Sequence, residues 1–261
     1  MKNEINAWNK LYDEGPGNCL SPHRSQLHRK ILDLIPDKIN NILDAGCGGG
    51  ELMYYLSKKI DCEIEGVDSS KIGVRNVVKN YSLKANVGDL KNLNMFEDKS
   101  FDLIICSEVT EHIQDDDLIK VLNEFMRISR KHIIITNPYK ENLRFYQIEC
   151  KNCYTKYHPA GHIQSVDEKF ISKFLKKFNT NYKFYFSGEK NWQSTFFSNI
   201  YRMLGNHIVN GCCPICGKES IRPNLTIFSK FFSYGFEIIK ISREYFFKKE
   251  SNNIITFIDI L

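Results

Sequence analysis

The chain has 261 residues, 42% hydrophobic and 26% charged, which suits one α/β domain with insertions and excludes disordered and collagen-like classes. Its net charge of +5 fits an anionic or phosphorylated ligand but is too small to argue for nucleic acid by itself. No apolar run reaches membrane-spanning length and residues 1–6 hold no apolar signal core, so neither a membrane span nor a secretory leader is expected and the expected location is cytoplasmic. The 9 cysteines are odd in number in a chain without secreted character, which argues against a disulfide framework.

Residues 1–40 read as a polar N-terminal helical cap. Trp8, Leu11 and Tyr12 fit one helical face, which Gly15-Pro16-Gly17 breaks. Ser21-Pro22 is an N-cap with proline at the first helical position, and Gln26 to Ile35 continue that helix to a stop at Pro36. Asn41 to Leu43 then form a short buried strand, followed by Asp44, glycines at 46, 48, 49 and 50, and a helix from Glu51. Strand, glycine turn and helix is the half-unit that holds nucleotide-like ligands, because glycine lets backbone approach the ligand where a Cβ would block it. Glu63 to Asp68 is a second strand ending in an acid suited to ribose hydroxyls, with Ser69 and a helix to about Tyr81 after it. A third strand ends near Val87-Gly-Asp89-Leu90, and Phe101 to Cys106 is the fourth. Ser107 through His112 form the turn into a helix, and Lys131 to Thr136 is the fifth strand, closed by Asn137-Pro138. After an irregular segment come a helix from Asp167 to Phe178, capped by Ser165 or Asp167, and a sixth strand, Tyr182 to Phe186. An aromatic helical stretch spans about 226–248, with packing on the sheet, a dimer face or a lipid-facing surface as its readings, and Asn253 to Ile258 is the last strand. Strands alternate with helices, so the predicted fold is α/β with a mostly parallel, doubly wound sheet whose ligands sit beyond the carboxyl ends of the strands.

Glycines 46, 48 and 50 give G-x-G-x-G with an acid at Asp44, not the G-x-G-x-x-G of dinucleotide turns, which sets aside an NAD-dependent oxidoreductase. This pattern is similar to motif I of the class I S-adenosylmethionine (SAM) methyltransferases, and Phe101-Asp102 followed by two apolar residues resembles their motif IV. The resemblance covers roughly residues 40–187. It implies a seven-stranded Rossmann-like sheet with an antiparallel last strand beside the fifth and sixth. It implies SAM binding by Asp44, Gly46, Cys47, Gly48 and Gly50, with Asp68 and Ser69 at the ribose, Asp89 and Leu90 at the adenine, and Ser107 at the neighbouring strand end. In related methyltransferases a segment such as 1–40 lies over the cofactor, where Arg24, His28 or Arg29 would meet its carboxylate; a solvated helix face is the other reading.

Two constellations carry further chemistry. Cys150 and Cys153 pair with Cys213 and Cys216, the latter in a Cys-Pro-Ile-Cys-Gly knuckle, as four thiolates for a closed structural Zn²⁺ site, with Cys212 or His158 as substitutes for one ligand. The domain expected is 41–261, with insertions 139–166 and 188–224 forming a zinc-stapled cap over the substrate pocket. The second is Glu108-Val-Thr-Glu111-His112, whose two carboxylates and imidazole at i, i+3 and i+4 would share a helical face and suit Mg²⁺ or Mn²⁺. This E-x-x-E-H resembles the metal motif of small-RNA 2′-O-methyltransferases and of polyprenyl-catechol O-methyltransferases, and the resemblance implies His162 as fourth ligand. Many methyltransferases without metal carry Glu-His here to shape the pocket, and that reading stays open. In a metal-free role, either His158 or His162 would serve as general base.

The reading is a divalent-metal-assisted, SAM-dependent O-methyltransferase, with Glu111, His112, His158 and His162 as candidate catalytic groups. Its acceptor would be a small hydroxylated or phosphate-like molecule. By resemblance, a surface-polysaccharide sugar or phosphoramidate pathway is favoured. The alternatives are RNA-end 2′-O-methylation and a non-catalytic SAM-binding zinc interaction module. A monomer or homodimer is expected.

Overall fold

Four apolar runs set the centre of the structure. A computed structural model describes residues 22–190 and 250–261 together with Asn9, Tyr12, Cys213, Ile215 and Cys216. Strand β1 (Asn41–Ala45), β4 (Phe101–Ser107), β5 (Ser129–Pro138) and β9 (Glu250–Ile260) bury Ile, Leu, Phe and Cys side chains on both faces, which strands covered by helices on two sides require. With β2 (Glu63–Asp68), β3 (Lys84–Val87) and β8 (Thr180–Lys190) they form one seven-stranded sheet among the described residues, in the order β3-β2-β1-β4-β5-β9-β8. The pairs from β3 to β5 are parallel, and β9 runs antiparallel between β5 and β8, as the resemblance implies. Strand order reverses between β1 and β4, so a crevice opens beyond their carboxyl ends.

Alternation along the strands divides the core. Ile42, Leu103, Ile105, Ile134 and Ile255 face helices α1 (Pro22–Leu34) and α2 (Glu51–Ser57), through Leu27, Ile31, Leu52, Met53 and Leu56. Val77 of α3 (Lys71–Tyr81) joins the same layer. Leu43, Ile104, Ile133 and Ile254 face the opposite layer, built from α4 (Asp115–Ile128) and α6 (Glu168–Leu175). Helix α4 buries Leu118, Val121, Leu122, Phe125 and Ile128 at helical spacing. Asp167 caps α6 by accepting from the Phe170 N–H. At the amino end of β4, Asp102 is a structural clamp: it accepts from Asn40 N and pairs with Arg130 and Lys131.

The turn expected over Ser107 to His112 is formed, but the α-helical face expected for Glu108, Glu111 and His112 is not. Glu108 lies in the left-handed region at φ 58°, a 3₁₀ turn covers Thr110–His112, and α4 starts only at Asp115. Three successive acids, Asp115 to Asp117, favour a helix N-terminus there. Helix α6 is shorter than expected and β8 longer. The first excursion contains α5 (Leu143–Tyr146) and the hairpin β6 (Ile148–Glu149) with β7 (Lys156–Tyr157). Its ends close on each other: Tyr139 bridges Val166, and Lys140 N donates to the Val166 carbonyl. The expectations at Trp8, Leu11, Gly15 to Gly17, Ser21, Cys212 and the aromatic stretch 226–248 lie outside the described residues, as does most of 188–224. No helix among the described residues is long and apolar enough to cross a membrane.

Phe125 is fully buried under the sheet. Phe125→Ala is expected to destabilise the fold by about 3–5 kcal/mol, measured by urea denaturation.

Candidate active site

The glycine turn after β1 is held against β2. Gly46 and Cys47 N–H groups donate to the Val67 carbonyl, at 2.7 and 3.1 Å. Gly46, Gly48 and Gly50 all have positive φ, where a side chain is strained. Space is short as well: a Cβ on Gly46 would stand 2.5 Å from a Val109 methyl, and one on Gly48 2.3 Å from the Tyr12 hydroxyl. Asp68 binds the turn from below, accepting from Gly48 N at 2.8 Å and Ser70 N at 2.7 Å. Each oxygen keeps a lone pair for a further donor. Burial raises the Asp68 pKa, and those two amides work against it. Asp44 is buried at the end of β1, and burial followed by the Asp68 charge pushes it up to about 7.

The remaining cofactor candidates differ in role. Ser70 rather than Ser69 caps α3, accepting from Gly73 N; Ser69 is exposed. Asp89 is 56% exposed and accepts from Lys91 N, while Leu90 packs at the core's edge. Ser107 Oγ bonds Thr136 Oγ1 at 2.9 Å. Arg24 pairs with Glu51, the first residue of α2, at 2.7 Å, Arg29 is exposed on α1, and His28 packs into the core, its pKa lowered to about 4 chiefly by burial. Among the described residues of the N-terminal segment, Tyr12 lies over Gly48 and Gly73, and Asn9 bonds Ser70 Oγ at 2.7 Å. The aromatic face of the N-terminal segment was their only signal in the sequence.

Beside the turn, the structure brings together Glu111, His112 and His162, each offering a ligand atom within 4.8 Å of the others. His112 Nε2 and His162 Nε2 both lie 3.9 Å from Glu111 Oε1, which is buried without a hydrogen-bond partner among the described residues. The other oxygen of Glu111 accepts from Asn137 Nδ2 at 2.9 Å. Glu108 stands next to this group, its Oε1 accepting from Asn253 Nδ2 at 2.9 Å and Thr136 Oγ1 at 3.4 Å. The convergence comes from the left-handed bend at Glu108 and the 3₁₀ turn, not from one face of an α-helix. Burial, reinforced by Glu108, drives the Glu111 carboxyl well above the usual range; burial brings Glu108 to about 7 against the pull of His162. Burial and the neighbouring His162 lower His112 to about 4.

His158 stacks on His162 with centroids 4.6 Å apart, and Glu141 contacts both rings. Burial raises the Glu141 pKa, but bonds from His158 and His162 bring it down to about 2. Asn137, Asn253 and Glu141 were not legible as site residues. The asparagines enter through the register of β5 against β9, and Glu141 sits in an irregular segment.

The four expected cysteines also meet. Cys150 and Cys216 sulfurs are 3.5 Å apart, as are those of Cys153 and Cys213, and all four lie within 4.8 Å. Four sulfurs at about 2.3 Å from a tetrahedral Zn²⁺ would stand nearly 4 Å apart, so the set fits that ion. Hydrogen bonding with Thr155 lowers Cys153 to about 6, whereas burial raises its neighbour Cys213 to about 11.

Residues 42–132 match the family described as methyltransferase domain. The ubiquinone biosynthesis O-methyltransferase of Rickettsia bellii is 29% identical over 53% of this chain and 59% of its own length. The norajmaline N-methyltransferase of Rauvolfia serpentina is 31% identical over 46% of this chain and 45% of its own length. The chain thus spans about half the length of these curated relatives. Among solved structures, an Archaeoglobus fulgidus SAM-dependent methyltransferase superposes with a TM-score of 0.56 at 16% identity, covering 89% of this chain and 92% of that one. That likeness establishes the fold.

Asn137 donates to both Thr110 and Glu111. Asn137→Ala leaves buried acceptors without a donor and is expected to cost about 1–3 kcal/mol in chemical denaturation.

Proposed function

We propose that this chain, whose residues 42–132 match a methyltransferase domain family, transfers a methyl group from SAM to an oxygen of a small hydroxylated or phosphate-like acceptor, assisted by a divalent cation. The observation that carries this reading is Glu111 Oε1, buried and unpartnered, with two imidazole nitrogens aimed at it beside a positive-φ glycine turn. That donor set of carboxylate and imidazole suits Mg²⁺ or Mn²⁺, and Glu108, Glu111, His112 and His162 would hold it. When bound, SAM supplies a methyl group already made electrophilic by its sulfonium; a cation would supply charge that favours the deprotonated acceptor. The backbone at Gly46, Gly48 and Gly50 would accommodate the cofactor's methionine portion, with Asp44 and Cys47 beside it. Asp68 would accept from the ribose, and Asp89 and Leu90 would border the adenine. Orientation of the acceptor and exclusion of water fall to the segment carrying His158 and His162; with His162 on the cation, His158 would accept the acceptor's proton.

In this reading residues 1–40 and the excursions 139–166 and 188–224 form a cap on domain 41–261. Zn²⁺ held by Cys150, Cys153, Cys213 and Cys216 would staple the two excursions, a structural role. Tyr157 of β7 is followed directly by His158, so the cysteine cluster also anchors the histidine segment. A sugar of a surface-polysaccharide pathway or a phosphoramidate group remains the favoured acceptor class, on resemblance.

S-adenosylhomocysteine production with a panel of hydroxylated acceptors is expected to rise with added Mn²⁺ or Mg²⁺. Glu111→Ala and His162→Ala should each lower it about 10²–10⁴-fold. Turnover indifferent to chelators and to both substitutions would overturn the cation's part. Elemental analysis should find one tightly held zinc per chain in the wild type and less in Cys213→Ser; a zinc-free, fully folded wild type would overturn the staple.

A further inference from the structure

The strongest unassigned group near the site is Glu141. It follows the point where Tyr139 and Lys140 close the first excursion onto Val166, and its side chain is 12% exposed. Its Oε2 bonds His162 Nδ1, and its Oε1 lies 3.5 Å from His158 Nε2. On the far side of the same ring, His162 Nε2 faces Glu111 Oε1 at 3.9 Å. The chain Glu141–His162–Glu111 therefore runs through one imidazole from nitrogen to nitrogen.

We propose that Glu141 is a positioning residue for the cation cluster: it takes the Nδ1–H of His162 and so keeps the Nε2 lone pair directed at the place shared by Glu111 and His112. This rests on the cation reading above for its purpose, but not for its geometry. An ionised carboxylate is acceptor only, so the proton between the two groups belongs to Nδ1. Without that partner, a neutral imidazole puts its proton chiefly on Nε2 and would present a donor where a ligand is needed. Carboxylates that orient ligating histidines in this way contribute substantially to metal affinity. Glu141, His158 and His162 themselves form a second close triad. The direct Glu141–His162 bond leaves no space for an ion between those atoms, and a ring shared by two ions would have to give up its last proton.

The test compares the full chain with Glu141→Ala and Glu141→Gln, prepared free of added Mn²⁺ but with zinc retained. Imidazole ¹⁵N–¹H correlation spectra above the histidine titration range read the tautomer of His162, and Mn²⁺ titration followed by electron paramagnetic resonance reads the cluster. Wild type should show the Nδ1–H tautomer, and Glu141→Ala the Nε2–H tautomer with Mn²⁺ affinity lower by roughly 10–100-fold. Glu141→Gln, whose amide carbonyl still accepts, should lie between. If Glu141→Ala does not fold, a partial shift in Glu141→Gln supports the proposal and no shift overturns it. An Nε2–H tautomer in wild type, or an unchanged tautomer in the folded alanine variant, overturns it. So does a second Mn²⁺ per chain that Glu141→Ala abolishes, since Glu141 would then be a ligand. A wild type that takes no Mn²⁺ but shows the tautomer change contradicts the cation reading and leaves the Glu141 assignment standing.

Discussion

Two carboxylates, the buried Glu111 and the partly buried Glu108, stand side by side at the carboxyl edge of the sheet, and the side chains around them supply the donors that make this tolerable. An ionised carboxylate away from water costs several kcal/mol unless it is paired or hydrogen-bonded. Asn253 and Thr136 supply donors to Glu108, and Asn137 supplies one to Glu111. One oxygen of Glu111 is left over, facing two imidazoles. The bend that delivers the pair is itself unfavourable, since a non-glycine residue in the left-handed region costs about 1–2 kcal/mol.

The parts of the edge are contiguous. Val109, between the two carboxylates in sequence, lies where a side chain on Gly46 would go, so the glycine turn and the acid turn constrain each other. Gly161, with positive φ, backs the His112 ring, and Ile163 N donates to the Glu111 carbonyl, tying the histidine segment to the acid turn. From that segment the chain runs back through β7 to the cysteine cluster. A disturbance at the sulfurs therefore has a short covalent route to His158 and His162, whereas the Asp102 clamp at the other end of the sheet has none.

Much of this was legible in the residues because local chemistry dictated it. The acids at the ends of β1 and β2 and the glycines after β1 report backbone demands that few residues satisfy, and the C-x-x-C pairs report a ligand spacing. The continuous apolar runs placed the parallel strands within a residue or two. What the sequence hid was tertiary. The spacing of Glu108, Glu111 and His112 suggested a helix, but their meeting depends on one left-handed residue. Asn137, Asn253 and Glu141 are ordinary polar residues in any linear reading; they matter because strand register and a closed excursion set them against charged partners. Tyr12 over the glycine turn and Asn9 on Ser70 carried no cofactor signal in a linear reading, while His28 is taken up by the core and Arg24 pairs with Glu51 beside the turn.

The central claim is that the glycine turn flanked by Asp44 and Asp68 is built around an adenosyl-sulfonium ligand. Calorimetric titration of the full chain with S-adenosylhomocysteine tests it most directly. The account predicts saturable binding at one site per chain that Asp68→Ala weakens at least tenfold. Wild-type protein that is folded and takes up no S-adenosylhomocysteine or S-adenosylmethionine would contradict it.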